Sequence, residues 1–130
     1  MARARTILVA DDDPECLQRA RAVLEAEGFR VTTARDGDEA LAKLRAAPPD
    51  LVLLDIIMPR RNGYQVCRAL RADPALRALP VLFVSVKAQS SDRFWAQRVG
   101  ADGFVAKPFD PADLVREVVA LLQRADVPAS

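Results

Sequence analysis

The chain has 130 residues, of which 51% are hydrophobic and 28% are charged, and its formal net charge is +1. This size and mixture are typical of one globular domain with a substantial core. A nearly neutral chain has no global field to attract nucleic acid or an anionic membrane, and its apolar runs are too short to span a bilayer. The run after the basic opening MARAR is also too short for a signal peptide, so we expect a cytoplasmic protein.

Histidine is absent from the sequence, which excludes a Ser-His-Asp or Cys-His hydrolase and a histidine-bound zinc site. The two cysteines, Cys16 and Cys67, lack the CxxC spacing, and we expect both to be small buried thiols. The chemistry left to this chain is therefore that of carboxylates, a hydroxyl, a lysine and a hard metal ion.

Short apolar segments alternate along the chain with longer segments of helical spacing. The short segments are rich in Val, Ile, Leu and Phe, as buried parallel strands are, and they lie at residues 7–10, 30–34, 51–54, 80–84 and 103–106. Each is followed by a segment whose apolar residues recur every three or four positions. Five βα units in succession predict an α/β fold, a doubly wound five-stranded parallel sheet with five flanking helices. We expect the domain to span residues 1–124, followed by a frayed tail at 125–130.

Turn and cap residues support these boundaries. Asp13 and Asp110 each precede a proline, which predicts a helix cap followed by proline in the first turn. Asp36, with a glutamate three residues later, predicts a capping box. Gly28 and Gly100 lie where two helices are expected to end.

Polar residues follow four of the predicted strands. In a doubly wound sheet the functional site lies at the carboxyl ends of the strands. The residues at those ends are Asp11, Asp12 and Asp13 after the first strand, Asp55 after the third, Ser85 after the fourth and Lys107 after the fifth. We therefore expect carboxylates, a hydroxyl and an ammonium group to converge on one edge of the sheet.

Asp55 lies in the apolar run LVLLDIIMP, where a charge is costly unless it is paired or bound to a metal. A carboxylate can act as a nucleophile for phosphoryl transfer. Asp11 and Asp12 would repel it unless a divalent cation relieved the repulsion, and Mg²⁺ takes such oxygen ligands. Asp13, directly before a proline, is expected to be a helix cap.

Lys107 and Ser85 complete the predicted set. Only three of the nineteen basic residues are lysines, and a compact ammonium group can reach into a narrow site more easily than a guanidinium. Ser85 could donate a hydrogen bond to a phosphate oxygen, although a simple capping role explains it equally well.

The motifs ILVADDDPE, LVLLDIIMP, NGYQVCRALR and GADGFVAKPF, with this spacing of acids, serine and Lys107, resemble the receiver domain of two-component response regulators over residues 6–122. The resemblance implies the flavodoxin-like strand order 2-1-3-4-5. It implies that Asp55 accepts a phosphoryl group from a histidine kinase or a phosphotransfer protein. A protein target would then read a conformational change on the face formed by helix four, strand five and helix five.

The resemblance also assigns the metal ligands. Asp12 would bind Mg²⁺ directly and Asp11 mostly through water. Asp55 and the backbone carbonyl of Ile57 would complete the protein ligands.

Further roles follow from the same resemblance. Ser85 and Lys107 would bind the phosphoryl group, and Phe104 would be the switch aromatic whose rotamer reports phosphorylation. The bond between Lys107 and Pro108 is expected to be cis.

Some positions depart from the family pattern. Val86 stands where a small residue is usual and is expected to narrow the site. Ile57 and Lys87 flank its entrance, and because an apolar Ile57 cannot orient a water, we expect slow self-dephosphorylation. The fourth helix, SDRFWAQR, is similar to that of single-domain regulators of twitching-motility and chemotaxis-like systems. Within it, Trp95 either packs against a neighbouring helix or contacts a partner.

We expect a receiver that takes part in its own phosphorylation and slow dephosphorylation but is otherwise not an enzyme. Three other functions are possible alternatives. An aspartyl phosphatase would need an acid where Ile57 stands, and a flavin binder would need a glycine-rich loop instead of three aspartates. A receiver-like interaction module that is never phosphorylated is the remaining alternative. If the 130 residues are the whole protein, nothing after Leu122 could form an output domain, and the receiver would signal through its own surface.

Overall fold

A computed structural model describes residues 4–86 and 88–126 of the chain, in which five strands and five helices alternate. The strands are β1 (Thr6–Ala10), β2 (Arg30–Ala34), β3 (Leu51–Leu54), β4 (Val81–Ser85) and β5 (Gly103–Ala106). The helices are α1 (Pro14–Ala26), α2 (Gly37–Ala46), α3 (Gly63–Ala72), α4 (Ser90–Arg98) and α5 (Pro111–Asp126). Within the described residues, no helix is long and apolar enough to cross a membrane.

All five strands are parallel and form one sheet in the order β2-β1-β3-β4-β5, which confirms the predicted fold class and strand order. Three strand boundaries differ from the prediction by one residue, including the start of β1, which lies one residue earlier. Strand β4 begins at Val81 because Pro80 has no N–H to donate, although its carbonyl still accepts from Val52 N at 3.0 Å. At its other end β4 extends one residue further than predicted, because Ser85 still pairs with β5 and is the last residue of the strand.

Helices cover both faces of the sheet, and strand residues alternate between the two layers. Leu8 and Ala10 of β1 pack with α2, α3 and α4, whereas Ile7 and Val9 pack with α1 and α5. All four residues of β3 are buried, as expected for a central parallel strand. The order of the strands reverses between β1 and β3, so this topology places a crevice at their carboxyl ends.

Most of the predicted helix boundaries are confirmed. Asp13 accepts from the N–H of Glu15 at 3.0 Å, and Asp110 accepts from the N–H of Ala112 at 2.8 Å. Gly28 and Gly100 follow helices α1 and α4 with φ angles of +92° and +96°. These positive angles explain why glycine ends both helices.

The predicted capping box of α2 is only half formed. Asp36 accepts from the N–H of Glu39 at 2.8 Å, but the Glu39 carboxylate accepts from the N–H of Arg35, one residue before the cap. The return hydrogen bond therefore closes a slightly larger loop than the motif predicts.

Two further expectations differ in detail. Helix α5 continues to Asp126, so residues 125–126 of the predicted tail are helical, and residues 127–130 lie outside the described part of the chain. Cys67 is buried as expected, whereas Cys16, near the start of α1, is only half-buried.

Candidate functional site

A lysine and two aspartates from three separate strand ends meet in a buried ion cluster. Lys107 Nζ lies 2.6 Å from Asp11 Oδ2 and 3.0 Å from Asp55 Oδ2. All three side chains are 7% exposed, so they interact largely out of contact with water. The predicted convergence of these residues is therefore present in the fold.

Backbone contacts fix the loop that carries Asp55. The Asp55 N–H donates to Ala10 O at 2.9 Å, which continues the β1–β3 pairing one residue past the strand. The Ile57 N–H donates to Asp55 Oδ1 at 3.2 Å, leaving Oδ2 to Lys107. Gly63 closes the loop from behind, since a Cβ there would lie 2.5 Å from Asp55 O. The orientation of the Asp55 carboxylate thus follows from the main chain around it.

The other acids surround the same point. Asp11 Oδ1 accepts from the Asp13 N–H at 2.9 Å, and Asp11 Oδ2 faces Lys107. One carboxylate oxygen each from Asp11, Asp12 and Asp55 lies within 4.8 Å of the others. This all-oxygen donor set, with Asp12 exposed to solvent, fits a hard divalent cation such as Mg²⁺, which keeps part of its water shell. Asp13 caps α1, as predicted.

The cluster contains more carboxyl groups than cations, and burial shifts the pKa of its members. Burial raises the pKa of the Asp11 carboxyl group, although its hydrogen bond from Lys107 acts in the opposite direction. Burial disfavours the charged form of Lys107, but hydrogen bonds and charges from Asp11 and Asp55 outweigh it and raise the pKa of Lys107. The ammonium group therefore stays charged at neutral pH. With Asp12 included, three carboxyl groups face one cation, which leaves a negative site for a metal ion.

Ser85 and Lys107 are linked through the main chain. Ser85 is fully buried at the end of β4, and its carbonyl accepts from the Lys107 N–H at 2.9 Å. The Lys107–Pro108 peptide bond is cis, as the sequence resemblance implies. These features place the ends of β4 and β5 side by side next to the ion cluster.

Comparison with known proteins identifies the family. The model of the response regulator receiver domain matches residues 7–119. The chain belongs to the response-regulator receiver family. As a receiver, it is a signalling domain of two-component systems, and domains of this family are generally non-enzymatic and bind Mg²⁺ at an acidic pocket.

Individual relatives agree with this assignment. The receiver is 39% identical to PilH of Pseudomonas aeruginosa over 116 residues, which cover 89% of this chain and 96% of PilH. It is 44% identical to the DNA-binding response regulator MtrA of Mycolicibacterium smegmatis over 95% of this chain and 53% of MtrA, so it spans about half the length of that relative. A crystal structure of a putative response regulator from Chloroflexus aurantiacus matches with a TM-score of 0.91 and 32% identity, covering 94% of this chain and 100% of that one.

Large apolar residues lie exposed around the mouth of the receiver site and on α4. Ile57 is 50% exposed and Val86 65%, and Lys87 lies outside the described residues. Trp95 is 55% exposed, and its ring contacts Phe94 of the same helix edge-to-face at 5.5 Å. Trp95 is therefore not buried against a neighbouring helix, which was the first of its two predicted placements.

Phe104 has a neighbour that sequence patterns did not indicate. The Arg93 guanidinium of α4 lies over the partly buried Phe104 ring, 4.7 Å from its centroid. Arg93 is one of many arginines in an arginine-rich chain, and nothing in its local sequence marks it. Only the packing of α4 beside β5 brings the two side chains together.

Proposed function

We propose that Asp55 accepts a phosphoryl group from a phosphohistidine of a histidine kinase or phosphotransfer protein. A carboxylate oxygen of Asp55 forms a bond to phosphorus, while the bond from phosphorus to the donor imidazole nitrogen breaks and its electron pair returns to the imidazole. The observation that carries this proposal is the buried contact of Lys107 with both Asp11 and Asp55.

Lys107 has a defined task in this step. Its ammonium group already contacts Asp55 Oδ2, the oxygen not held by the Ile57 N–H, and it can pass from that oxygen to an incoming phosphoryl oxygen. The charge that builds up on the phosphoryl group then meets a cation fixed in a site with little water.

Asp11, Asp12, Asp55 and the backbone carbonyl of Ile57 would hold the Mg²⁺ ion, which supplies positive charge to the phosphoryl oxygens. The close approach of the three carboxylates supports this assignment. Ser85, next to Lys107 at the end of β4, would donate its hydroxyl hydrogen to the bound phosphoryl group.

The output of the receiver is proposed to be a rearrangement of Phe104 and of the face formed by α4, β5 and α5, which a protein target reads. The half-buried Phe104 ring under Arg93 and the exposed Trp95 support this placement. The similarity to PilH over nearly its whole length supports a role in a twitching-motility or chemotaxis-like system. The receiver is proposed to act on protein partners in the cytoplasm, and a net charge of +1 provides no general attraction to nucleic acid or membrane.

Mass spectrometry of the intact protein tests the phospho-acceptor. Incubation with phosphoramidate and Mg²⁺ is expected to add the mass of one phosphoryl group, and Asp55→Asn is expected to abolish it. Asp38→Asn is the matched control, because Asp38 is an exposed acid that pairs with Arg61 and is not part of the ion cluster. An unchanged mass in the folded wild-type protein would contradict the proposal and favour an interaction module that is never phosphorylated.

A further inference from the structure

The C-terminal end of α4 is held by one arginine of α3. Arg71 Nε and Nη2 donate to Gly100 O at 2.9 Å and 2.7 Å. Its Nη1 donates to Arg77 O at 2.9 Å and to Leu79 O at 2.7 Å, and its Nη2 lies 3.0 Å from Asp102 Oδ2. One guanidinium thus ties α3, the loop before β4 and the loop after α4 together.

Neighbouring contacts reinforce this attachment. The Asp102 carboxylate also accepts from the Val81 N–H, and the Asp102 N–H donates to Val81 O, both at 2.9 Å. Cys67 Sγ of α3 donates to Val99 O at 3.4 Å. A Cβ at Gly100 would lie 3.0 Å from Arg71 Nε, so glycine lets the turn pack directly on the arginine. The end of α4 is therefore joined to α3 and to the sheet at several points.

The N-terminal half of α4 is held differently. The Tyr64 hydroxyl donates to Asp92 O at 3.3 Å, and Arg93 lies over the Phe104 ring. All residues of α4 are described, and Ala96, in its second half, is the one that is buried. Because little of α4 is buried in the core, a movement of its first half breaks few packing contacts.

The site and this half of α4 are adjacent in the chain. Residues 86–89 lead directly from Ser85 at the site to the start of α4. A displacement of Ser85 is therefore passed first to the N-terminal end of a helix whose other end is fixed. A nine-residue helix is about 13 Å long and, attached at its C-terminal end, it can pivot there, which displaces its first half most and its last turn least.

We propose that Arg71 is a positioning residue that fixes the C-terminal end of α4, so that phosphorylation swings the N-terminal half of α4 about Gly100 and lifts Arg93 from Phe104. This inference rests on the proposed phosphorylation of Asp55. It assigns the movement to one half of α4 and gives Arg71 a role in shaping the response, in addition to its role in stability.

Hydrogen exchange of the backbone amides tests the proposal. The full chain is compared with Mg²⁺ alone and with Mg²⁺ plus beryllofluoride, a stable mimic of the phosphoryl group. In the wild type, loading is expected to change exchange about tenfold in peptides covering 88–95 and to leave 97–103 unchanged. In Arg71→Gln the loading-dependent change is expected to spread into 97–103.

Two further variants make the test specific. Arg68→Gln removes an exposed arginine of the same helix and is expected to keep the wild-type pattern. Arg71→Lys keeps the positive charge, but an ammonium group cannot bond to all three attached segments at once. We therefore expect the loading-dependent change in exchange to extend into residues 97–103 in this variant too. This second variant tests the inference even if Arg71→Gln does not fold.

The outcomes separate this inference from the proposed function. Bound beryllofluoride is counted by native mass spectrometry in the same samples, and failure of the wild type to load would contradict the proposed function itself. If the wild type loads but both halves of α4 respond equally, or if the folded Arg71 variants keep the wild-type pattern, the role of Arg71 is wrong.

Discussion

The ion cluster lies at the carboxyl ends of the strands and helix α4 follows one of those strands, β4, yet the two regions are built in opposite ways. In the cluster, Asp11, Asp55 and Lys107 are buried and hydrogen-bonded, and main-chain contacts fix the two aspartates. On α4, two aromatic side chains are more than half exposed and one residue of the helix is buried. The residues proposed to take part in phosphoryl transfer are thus held in one geometry. The residues of α4 proposed to signal phosphorylation can move with little loss of packing.

The largest effect expected from this contrast is on stability. Phe83→Ala removes a fully buried ring that packs edge-to-face on Tyr64, and we expect it to lower the free energy of unfolding by about 4 kcal/mol. Trp95→Ala on α4 is expected to lower it by less than about 0.5 kcal/mol. Urea denaturation of both variants measures the difference, and equal losses would mean that α4 is packed as firmly as the core.

Lys107→Ala tests the other side of the comparison. It leaves two buried carboxylates without their cation, and we expect a loss of about 3 kcal/mol in the free energy of unfolding. Millimolar Mg²⁺ is expected to restore part of this loss, because the ion replaces the missing positive charge. Lys43→Ala, which removes an exposed lysine paired with Glu39, is the control and is expected to cost about 0.5 kcal/mol. A small, Mg²⁺-insensitive loss in Lys107→Ala would contradict the account.

Alkaline pH gives an independent test of the same residue. Folding raises the pKa of Lys107, so its contribution to stability is complete below its unfolded pKa of about 10.4 and is lost as the pH rises through the folded value. Unfolding measured between neutral and alkaline pH is therefore expected to show a steeper loss of stability above about pH 10.4 in the wild type than in Lys107→Ala. Parallel curves would show that Lys107 gains no proton affinity on folding.

Thiol labelling compares Cys67, beside the attached C-terminal end of α4, with Cys16 at the start of α1. Burial raises the pKa of Cys67 to about 11, so only about one thiol in a thousand is ionised at pH 8. We expect Cys67 to react with a thiol reagent about a hundredfold more slowly than the half-buried Cys16. Arg71→Gln is expected to increase the labelling rate of Cys67 and so to reduce this difference, because Cys67 contacts Val99 at the attached end of α4. Equal rates for the two cysteines in the wild type would contradict the burial on which this depends.

The smallest effect concerns the lifetime of the phosphoryl group. Ile57 is half exposed beside Asp55 and offers no polar atom of its side chain to orient a water. Ile57→Asn is expected to accelerate loss of the phosphoryl group about tenfold, as an added group that orients water lowers the barrier by about 1.4 kcal/mol. The decay of the phosphorylated mass measures this, and a wild-type lifetime of only seconds would contradict slow self-dephosphorylation.

The sequence predicted the fold and the cluster because both follow from short-range rules. Parallel strands bring their carboxyl ends to one edge, and the strand order that the family resemblance implied puts the ends of β1, β3 and β5, with Asp11, Asp55 and Lys107, on the same part of that edge. The contacts of Arg71 were not predictable in this way. It reaches Gly100 across 29 positions of the chain, and no periodicity distinguishes it from the other arginines. The start of β4 was misplaced for a simpler reason, since an apolar proline looks like a strand residue until its missing N–H is counted.

Locating the phosphoryl group tests the central claim most directly. After incubation with phosphoramidate and Mg²⁺, borohydride reduces an acyl phosphate to an alcohol, and peptide sequencing by mass spectrometry identifies the altered residue. We predict the alcohol at position 55 alone, with a much lower yield in Lys107→Ala. Modification at Asp11 or Asp12 instead, or an equal yield without Lys107, would contradict a single site built around the Asp55 carboxylate.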